Sequence, residues 1–226
     1  MPEATPRYLT KSRFKLALEC PTKLFYSGKP QLYPDRREGD EFLQSLAEGG
    51  FQVGALARLM FPGGVEVTAR THDGQLAETE QFLARQGVII FEAAMRFGHL
   101  FIRIDVLKKV DNQVELIEIK AKGHDFTEPL RDVGAMRPYL QDVAFQRHVL
   151  RSRHPEWIVT SFLMLADKSA ICTVQGLNQG FKVGQKAKKR LNLTMLWWRE
   201  PSCATANAIR WPWWCRPGIN GYAPKL

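Results

Sequence analysis

The clearest pattern of apolar and polar positions lies in the middle of the chain, where three strand-like segments follow one another. They are residues 88–96 (VIIFEAAMR), 100–107 (LFIRIDVL) and 114–121 (VELIEIKA). Each is short, rich in β-branched or aromatic residues and bounded by polar or glycine-containing turns, which is typical of strands. We therefore predict three strands at hairpin spacing, with residues 111–113 (DNQ) as the turn between the last two.

Helical periodicity occurs on both sides of these strands. The predicted helices are residues 11–19, one or two helices within 42–64 interrupted near Gly49 and Gly50, 77–86 with Gly87 as its C′ residue, and 137–153. Two further strands are predicted at residues 157–166 and 169–175, around a turn at Asp167 and Lys168. This order indicates an α/β or α+β fold, with a central mixed sheet flanked by helices and an N-terminal helical region.

The composition changes this picture only in its charge. The 226 residues are 45% hydrophobic and 24% charged, which is an ordinary globular balance. The net charge of +9 favours a polyanionic partner such as nucleic acid or an anionic lipid surface. The sequence has no apolar run of ~18 to 20 residues and no apolar secretory segment, so we expect a cytoplasmic protein without a membrane span.

Three charged residues in the strand region are the candidate chemistry. Glu118 and Lys120 project from one face of their strand because strand side chains alternate. If the second and third strands pair, Asp105 lies beside Glu118. Two neighbouring carboxylates are costly to bury without a cation, and such oxygen ligands suit Mg²⁺ or Mn²⁺, while Lys120 could orient or deprotonate a water. A solvated, charged strand face has the same alternation, so both interpretations stay open.

The stretch RIDVLKKVDNQVELIEIKAKG, residues 103–123, resembles the core of the PD-(D/E)XK nuclease superfamily, in which an Asp on one strand precedes (D/E)-x-K on the next. The segments LTKSRFKLALECPTKLFY, GFQVGALARLMFPGG, IIFEAAM and YLQDVAFQRHVL, in that order, are similar to the RecB-like branch. Within it, the chain resembles the CRISPR-associated exonucleases called Cas type four and a related bacterial family of unknown function.

The resemblance implies a restriction-endonuclease-like core and assigns roles to the charged residues. Asp105, Glu118 and the backbone carbonyl of Ile119 would hold Mg²⁺ or Mn²⁺, and Lys120 would position or activate the water. Glu92, in IIFEAAM, is a candidate for an additional carboxylate at the metal.

Two positions depart from the family pattern. RecB-like enzymes carry a metal-binding His in the N-terminal helical region, where this chain has Gly54. They also carry Gln-x-x-x-Tyr on the following helix, where this chain has Asp142 and Gln146. The i, i+4 spacing puts these two on one helix face, where they either support the site or form a polar surface stripe.

Cysteine usage leaves an iron–sulfur cluster open. Cys20 stands where the CRISPR-associated relatives have their first cluster ligand, and Cys203 and Cys215 are candidates for others. A cluster needs four converging thiolates. Cys172 lies in a strand pattern typical of a buried apolar residue, and without a CxxC pair reduced thiols are the alternative.

The C-terminal part contains a basic segment, residues 181–192 (FKVGQKAKKRLN), that suits contact with a phosphate backbone and equally suits a solvated helix. Its cations are Lys182, Lys186, Lys188, Lys189 and Arg190. Residues 191–226 hold five of the six tryptophans and form an irregular Trp- and Pro-rich tail, either truncated or leading to a further domain.

We therefore predict a nuclease domain over residues 1–190, with a helical part at 1–87 and a catalytic core at 88–190. The expected function is metal-dependent hydrolysis of single- or double-stranded DNA, in repair or anti-phage defence, with a fused or associated exonuclease domain as a partner. Two alternatives are a catalytically degenerate nucleic-acid-binding module and an iron–sulfur scaffold domain of a larger protein.

Overall fold

A computed structural model describes residues 7–35, 39–126 and 133–170 of the chain. The helices are α1 (Lys11–Glu19), α2 (Pro21–Tyr26), α3 (Glu41–Leu59), α4 (His72–Leu83) and α5 (Val133–Arg153). The strands are β1 (Leu9–Thr10), β2 (Val65–Glu66), β3 (Gly87–Phe97), β4 (Leu100–Val110), β5 (Gln113–His124) and β6 (Ile158–Asp167). Within these ranges the protein is α+β, with a mixed sheet flanked by helices.

The six described strands form one sheet in the order β2-β3-β4-β5-β6, with β1 paired to β4 beside this path. β3, β4 and β5 are an antiparallel meander, while β2 pairs with β3, β1 with β4 and β6 with β5 in parallel. The three central strands were predicted to within three residues at each end. The turn predicted at residues 111–113 consists of Asp111 and Asn112, since Gln113 begins β5. Asp111 takes a left-handed φ of 53°, which Asp tolerates better than most residues.

The prediction of α1 is confirmed. It succeeded because both ends of this helix have a local sequence signal. The Thr10 hydroxyl accepts a hydrogen bond from the Arg13 amide at 3.4 Å, and Pro21 begins the next helix. The predicted interruption at Gly49 and Gly50 is wrong, since α3 continues through both glycines. No described atom lies within 4 Å of the place where a Cβ would stand at either glycine, so no close contact breaks the helix there.

The prediction for α4 is wrong at both ends. The helix begins at His72, where the Thr71 hydroxyl caps the Gly74 amide, and it ends at Leu83. Gly87 opens β3 instead of closing the helix. Gly74 in the first turn concealed the start, because glycine is a poor helix former. The helix predicted from 137 begins at Val133 and contains Pro138. Of the strand predicted at 169–175, Ser169 and Ala170 are not in a strand, and residues 171–175 lie outside the described residues.

Two layers of apolar side chains cover the sheet. The larger cluster lies against α5, with Val143, Val149 and Leu150 fully buried, and the smaller one lies against α3, around Ala57 and Phe91. Each buried aliphatic side chain contributes about 1.5–3 kcal/mol to folding. The site described below lies on the α5 side. No helix within the described residues is long and apolar enough to cross a membrane.

Candidate active site

Asp105 and Glu118 meet where β4 and β5 stop pairing. The ladder between these strands ends with Val106 opposite Ile117. One step further, Asp105 Oδ2 accepts a hydrogen bond from the Ile119 amide at 2.7 Å, so a side-chain carboxylate takes the place of a backbone carbonyl. A carboxylate is a strong acceptor for a backbone N–H, which explains why the strands separate here without an unpaired amide.

Glu118 is fully buried and receives hydrogen bonds from three other side chains. Lys11 Nζ, from the first residue of α1, lies 2.9 Å from Oε1 and 3.0 Å from Oε2. Lys120 Nζ also donates to Oε1, and the Gln146 amide of α5 donates to Oε2 at 2.7 Å. A buried carboxylate is tolerated only with such partners. Glu118 is therefore the centre of the cluster.

A second buried carboxylate lies on α5, behind Lys120. Asp142 is fully buried, and its Oδ2 is 2.7 Å from Lys15 Nζ and 3.4 Å from Lys120 Nζ. Gln146 follows Asp142 by one turn and donates to the Asp142 carbonyl at 3.2 Å. The i, i+4 spacing thus brings both predicted supporting residues to the site. The structure brings Asp105, Glu118, Lys120, Asp142 and Gln146 together.

Burial and neighbouring charges shift the pKa values in this cluster. Burial, reinforced by repulsion from Glu118, raises the pKa of Asp105 to about 6. Burial alone would raise the pKa of Glu118, but the charges of Lys11 and Lys120 lower it below its usual value. Burial opposes the charge of Lys120, yet Glu118 outweighs this effect and raises the pKa of the ammonium group. At neutral pH the cluster therefore holds ionised Glu118 and protonated Lys120.

The donors of this cluster suit a hard divalent ion. Asp105 and Glu118 provide carboxylate oxygens, and Mg²⁺ or Mn²⁺ takes one or two carboxylates and keeps several waters. The position between the two carboxylates already attracts a cation, since Lys11 Nζ lies 3.9 Å from Asp105 Oδ1. Within the described residues no group of three His, Cys, Asp or Glu side chains could hold a metal ion. The carbonyl of Ile119 stays a predicted third ligand.

Glu92 makes its contacts on the other side of the sheet. Its carboxylate pairs with Arg103 Nη2 at 2.7 Å and with Arg58 Nη2 of α3 at 3.5 Å. Arg58 lies over the ring of Phe91, on the α3 side. Glu92 has a left-handed φ of 57°, which shifts the alternation of β3 by one residue. Its proposed role as a further metal ligand stays a prediction.

The remaining candidates lie away from this cluster or outside the described residues. Cys20 lies between α1 and α2, where hydrogen bonds from Thr22 lower the pKa of its thiol. A Cβ added to Gly54 would meet no described atom within 4 Å. The other candidates, Cys172, Cys203, Cys215, Lys182, Lys186, Lys188, Lys189, Arg190 and the tail 191–226, lie outside the described residues.

Sequence reasoning missed Lys11 and Lys15. Their i, i+4 spacing on a predicted helix puts both on one face, which was a visible signal. Their partners were not predictable, because Glu118 lies 107 positions from Lys11.

Comparisons of the chain with protein-family models and with curated proteins found no match in either.

Proposed function

We propose that this chain is a metal-dependent nuclease with a restriction-endonuclease-like core that hydrolyses DNA phosphodiester bonds. The observation that carries the proposal is the buried cluster of Asp105, Glu118 and Lys120, on adjacent strands at the point where these strands separate. Burial of two carboxylates side by side opposes folding, so its presence in a sheet favours a functional reason. The resemblance to PD-(D/E)XK nucleases supplies that reason.

Asp105 and Glu118 are the residues that would hold Mg²⁺ or Mn²⁺, with the Ile119 carbonyl as the expected third ligand. A bound divalent ion would polarise a phosphoryl oxygen and offset the negative charge of the transition state. The protein's own contribution is orientation. The Ile119 amide fixes Asp105, and the Gln146 amide fixes Glu118. Fixed carboxylates lose little entropy on binding an ion, which increases its affinity.

Lys120 is suited to position water and to stabilise charge. The raised pKa keeps its ammonium group protonated at neutral pH, so it donates hydrogen bonds to an attacking water or to a phosphoryl oxygen. Protonation disfavours the alternative in which Lys120 deprotonates the water. Asp142 contacts Lys120 from α5 and limits the directions in which the ammonium group can move.

DNA is the proposed substrate class because of charge and resemblance together. The net charge of +9 favours a polyanion, and the RecB-like pattern favours DNA among polyanions. RNA is the competitor that the experiment must include, since a phosphodiester looks the same to these three side chains.

The test is cleavage of end-labelled single-stranded DNA, double-stranded DNA and RNA with Mn²⁺, Mg²⁺ or EDTA. We expect metal-dependent DNA cleavage that Lys120→Ala lowers about 100-fold or more. Lys122→Ala is the matched control, because Lys122 lies on the same strand and its ammonium group bonds only weakly, at 3.4 Å, to the Ala135 carbonyl. Full activity of Lys120→Ala would contradict the assigned role.

A second candidate function is a nucleic-acid-binding module that does not cleave. Gly54 in place of the usual His and the salt bridge from Lys11 to Glu118 both favour it. Its signature is DNA binding in a gel shift without cleavage under any of the metal conditions.

A further inference from the structure

The family resemblance gives no role to Lys11, which contacts both strand carboxylates of the cluster. Its ammonium group lies 2.9 and 3.0 Å from the two oxygens of Glu118 and 3.9 Å from Asp105 Oδ1. It therefore occupies the space between the two carboxylates, which is where a divalent ion with both as ligands would bind. An ammonium group and a divalent ion cannot share that space.

The backbone holds Lys11 in this place. β1 pairs with β4 through Leu9 opposite Leu100, and the Leu9 amide donates to the His99 carbonyl at 2.8 Å. α1 begins at Lys11, directly after that pairing, and is capped by Thr10. The backbone at Lys11 is thus anchored to the strand that also carries Asp105.

The position of Lys11 is unfavourable for its own helix. A cation in the first helical turn is repelled by the positive end of the helix dipole, and no acidic residue in the first turn of α1 compensates. The carboxylates of Glu118 and Asp105 offset this repulsion, because the Lys11 ammonium group lies close to both. The charge at this position thus contributes to the site more than to the helix.

We propose that Lys11 is the internal counter-ion of this site, and this inference rests on the proposed metal-dependent function. In the metal-free protein Lys11 neutralises the Asp105–Glu118 pair and lets it be buried. A divalent ion binds only when the Lys11 ammonium group moves away, so Lys11 lowers metal affinity and sets the concentration at which the site fills. The side chain is 24% exposed, so it can move towards solvent without displacing the core.

The test is Mn²⁺ binding by isothermal titration calorimetry, without nucleic acid. We expect Lys11→Met to bind Mn²⁺ about tenfold more tightly than the wild type, since it removes a competing charge at contact distance. Lys11→Arg should keep the weaker, wild-type-like affinity. Lys23→Met is the matched control, because it makes the same charge change on α2, where Lys23 pairs with Glu19, and we expect an unchanged affinity.

A second readout is thermal unfolding in EDTA and in Mn²⁺. Lys11→Met should unfold at a lower temperature than the wild type in EDTA and gain more from Mn²⁺, whereas Lys23→Met should not. Equal or weaker Mn²⁺ binding by Lys11→Met would overturn this inference and leave the metal site standing. Absence of Mn²⁺ binding in every variant, Lys11→Met included, would overturn the proposed metal-dependent function and this inference with it.

Discussion

Two carboxylates lie side by side in sequence register on β3 and β4 but make their contacts on opposite faces of the sheet. Glu92 and Asp105 occupy the same step of the ladder, between the pairs Phe91–Val106 and Ala93–Ile104. Glu92 binds two arginines on the α3 side, where its side chain is 27% exposed. Asp105 joins Glu118 and the lysines on the α5 side. Asp105 is exposed to a similar extent, 24%, so the two positions differ mainly in their neighbours: Asp105 lies beside the fully buried Glu118.

The comparison shows that burial of the neighbouring carboxylates, more than the number of ion pairs, distinguishes the cluster around Glu118 from the partly exposed ion pairs of Glu92. Exposed ion pairs contribute little to folding stability because water competes for both partners. Buried carboxylates lose their water, so their pKa values and their demand for cations change. The cluster around the fully buried Glu118 and Asp142 contains three carboxylates and three ammonium groups: Asp105, Glu118, Asp142, Lys11, Lys15 and Lys120.

The largest expected difference between the two clusters is in catalysis. Glu118→Gln removes a charge that the proposed metal ion requires, so we expect DNA cleavage to fall at least about 1,000-fold. Glu92→Gln removes the same charge on the other face and should change cleavage by less than about threefold, because exposed pairs contribute little. Initial rates at saturating Mn²⁺ measure both. A large loss in Glu92→Gln would instead make Glu92 part of the site.

The two clusters should differ less in their contribution to the free energy of unfolding than in their effect on cleavage. Lys15–Asp142 and Arg103–Glu92 are both 2.7 Å long, and their cations are 38% and 48% exposed. The carboxylates differ more than the cations, because Asp142 is fully buried and Glu92 is 27% exposed. Lys15→Met should therefore cost about 1–3 kcal/mol of unfolding free energy. Arg103→Met should cost less than about 1 kcal/mol. Urea unfolding of both variants compares them, and equal losses would show that burial of the carboxylate does not matter here.

The third expected effect is the pH dependence due to Asp105, which comes from a single group. Since its folded pKa is about 6, above the unfolded value, the folded state keeps the proton longer. Stability from this group is therefore largely present at pH 4 and is lost as the pH rises through about 6, by about 2–3 kcal/mol.

Urea unfolding in EDTA between pH 4 and 7, on wild type and Asp105→Asn, measures that term. The advantage of wild type over Asp105→Asn should shrink as the pH rises. A difference that stays constant over this range would mean that Asp105 has an ordinary pKa in the folded protein.

The central strands and the meeting of Asp105 with Glu118 were predictable, and the physical reason is local. Alternation identifies the strands, and a two-residue turn at Asp111 and Asn112 fixes the register that carries Asp105 to Glu118. The alternation fails at one point that the sequence does not mark. The left-handed φ of Glu92 shifts β3, so Ala93 instead of Glu92 follows Ile90 into the α5-side core.

The parts that were not predictable depend on distant contacts. In the sequence, Lys11 and Lys15 form an ordinary basic helix face. Only the structure shows that they contact Glu118 and Asp142. The two-residue strands β1 and β2 are too short to show any alternation. The lysine contacts and the pairing of these short strands both depend on residues far away in the sequence, so no local pattern predicts them.

The distance along the chain between Glu118 and Lys11 has a consequence for the order of folding. β3, β4 and β5 are consecutive hairpins, so their contacts close short loops and form early. Lys11 comes from 107 positions away. A chain with the meander formed and α1 undocked holds two adjacent carboxylates, and within the described residues Lys120 is the cation of this hairpin that contacts Glu118. We expect refolding in EDTA to speed up when mild acid neutralises the carboxylates, which would indicate that their repulsion slows completion of the sheet until α1 docks.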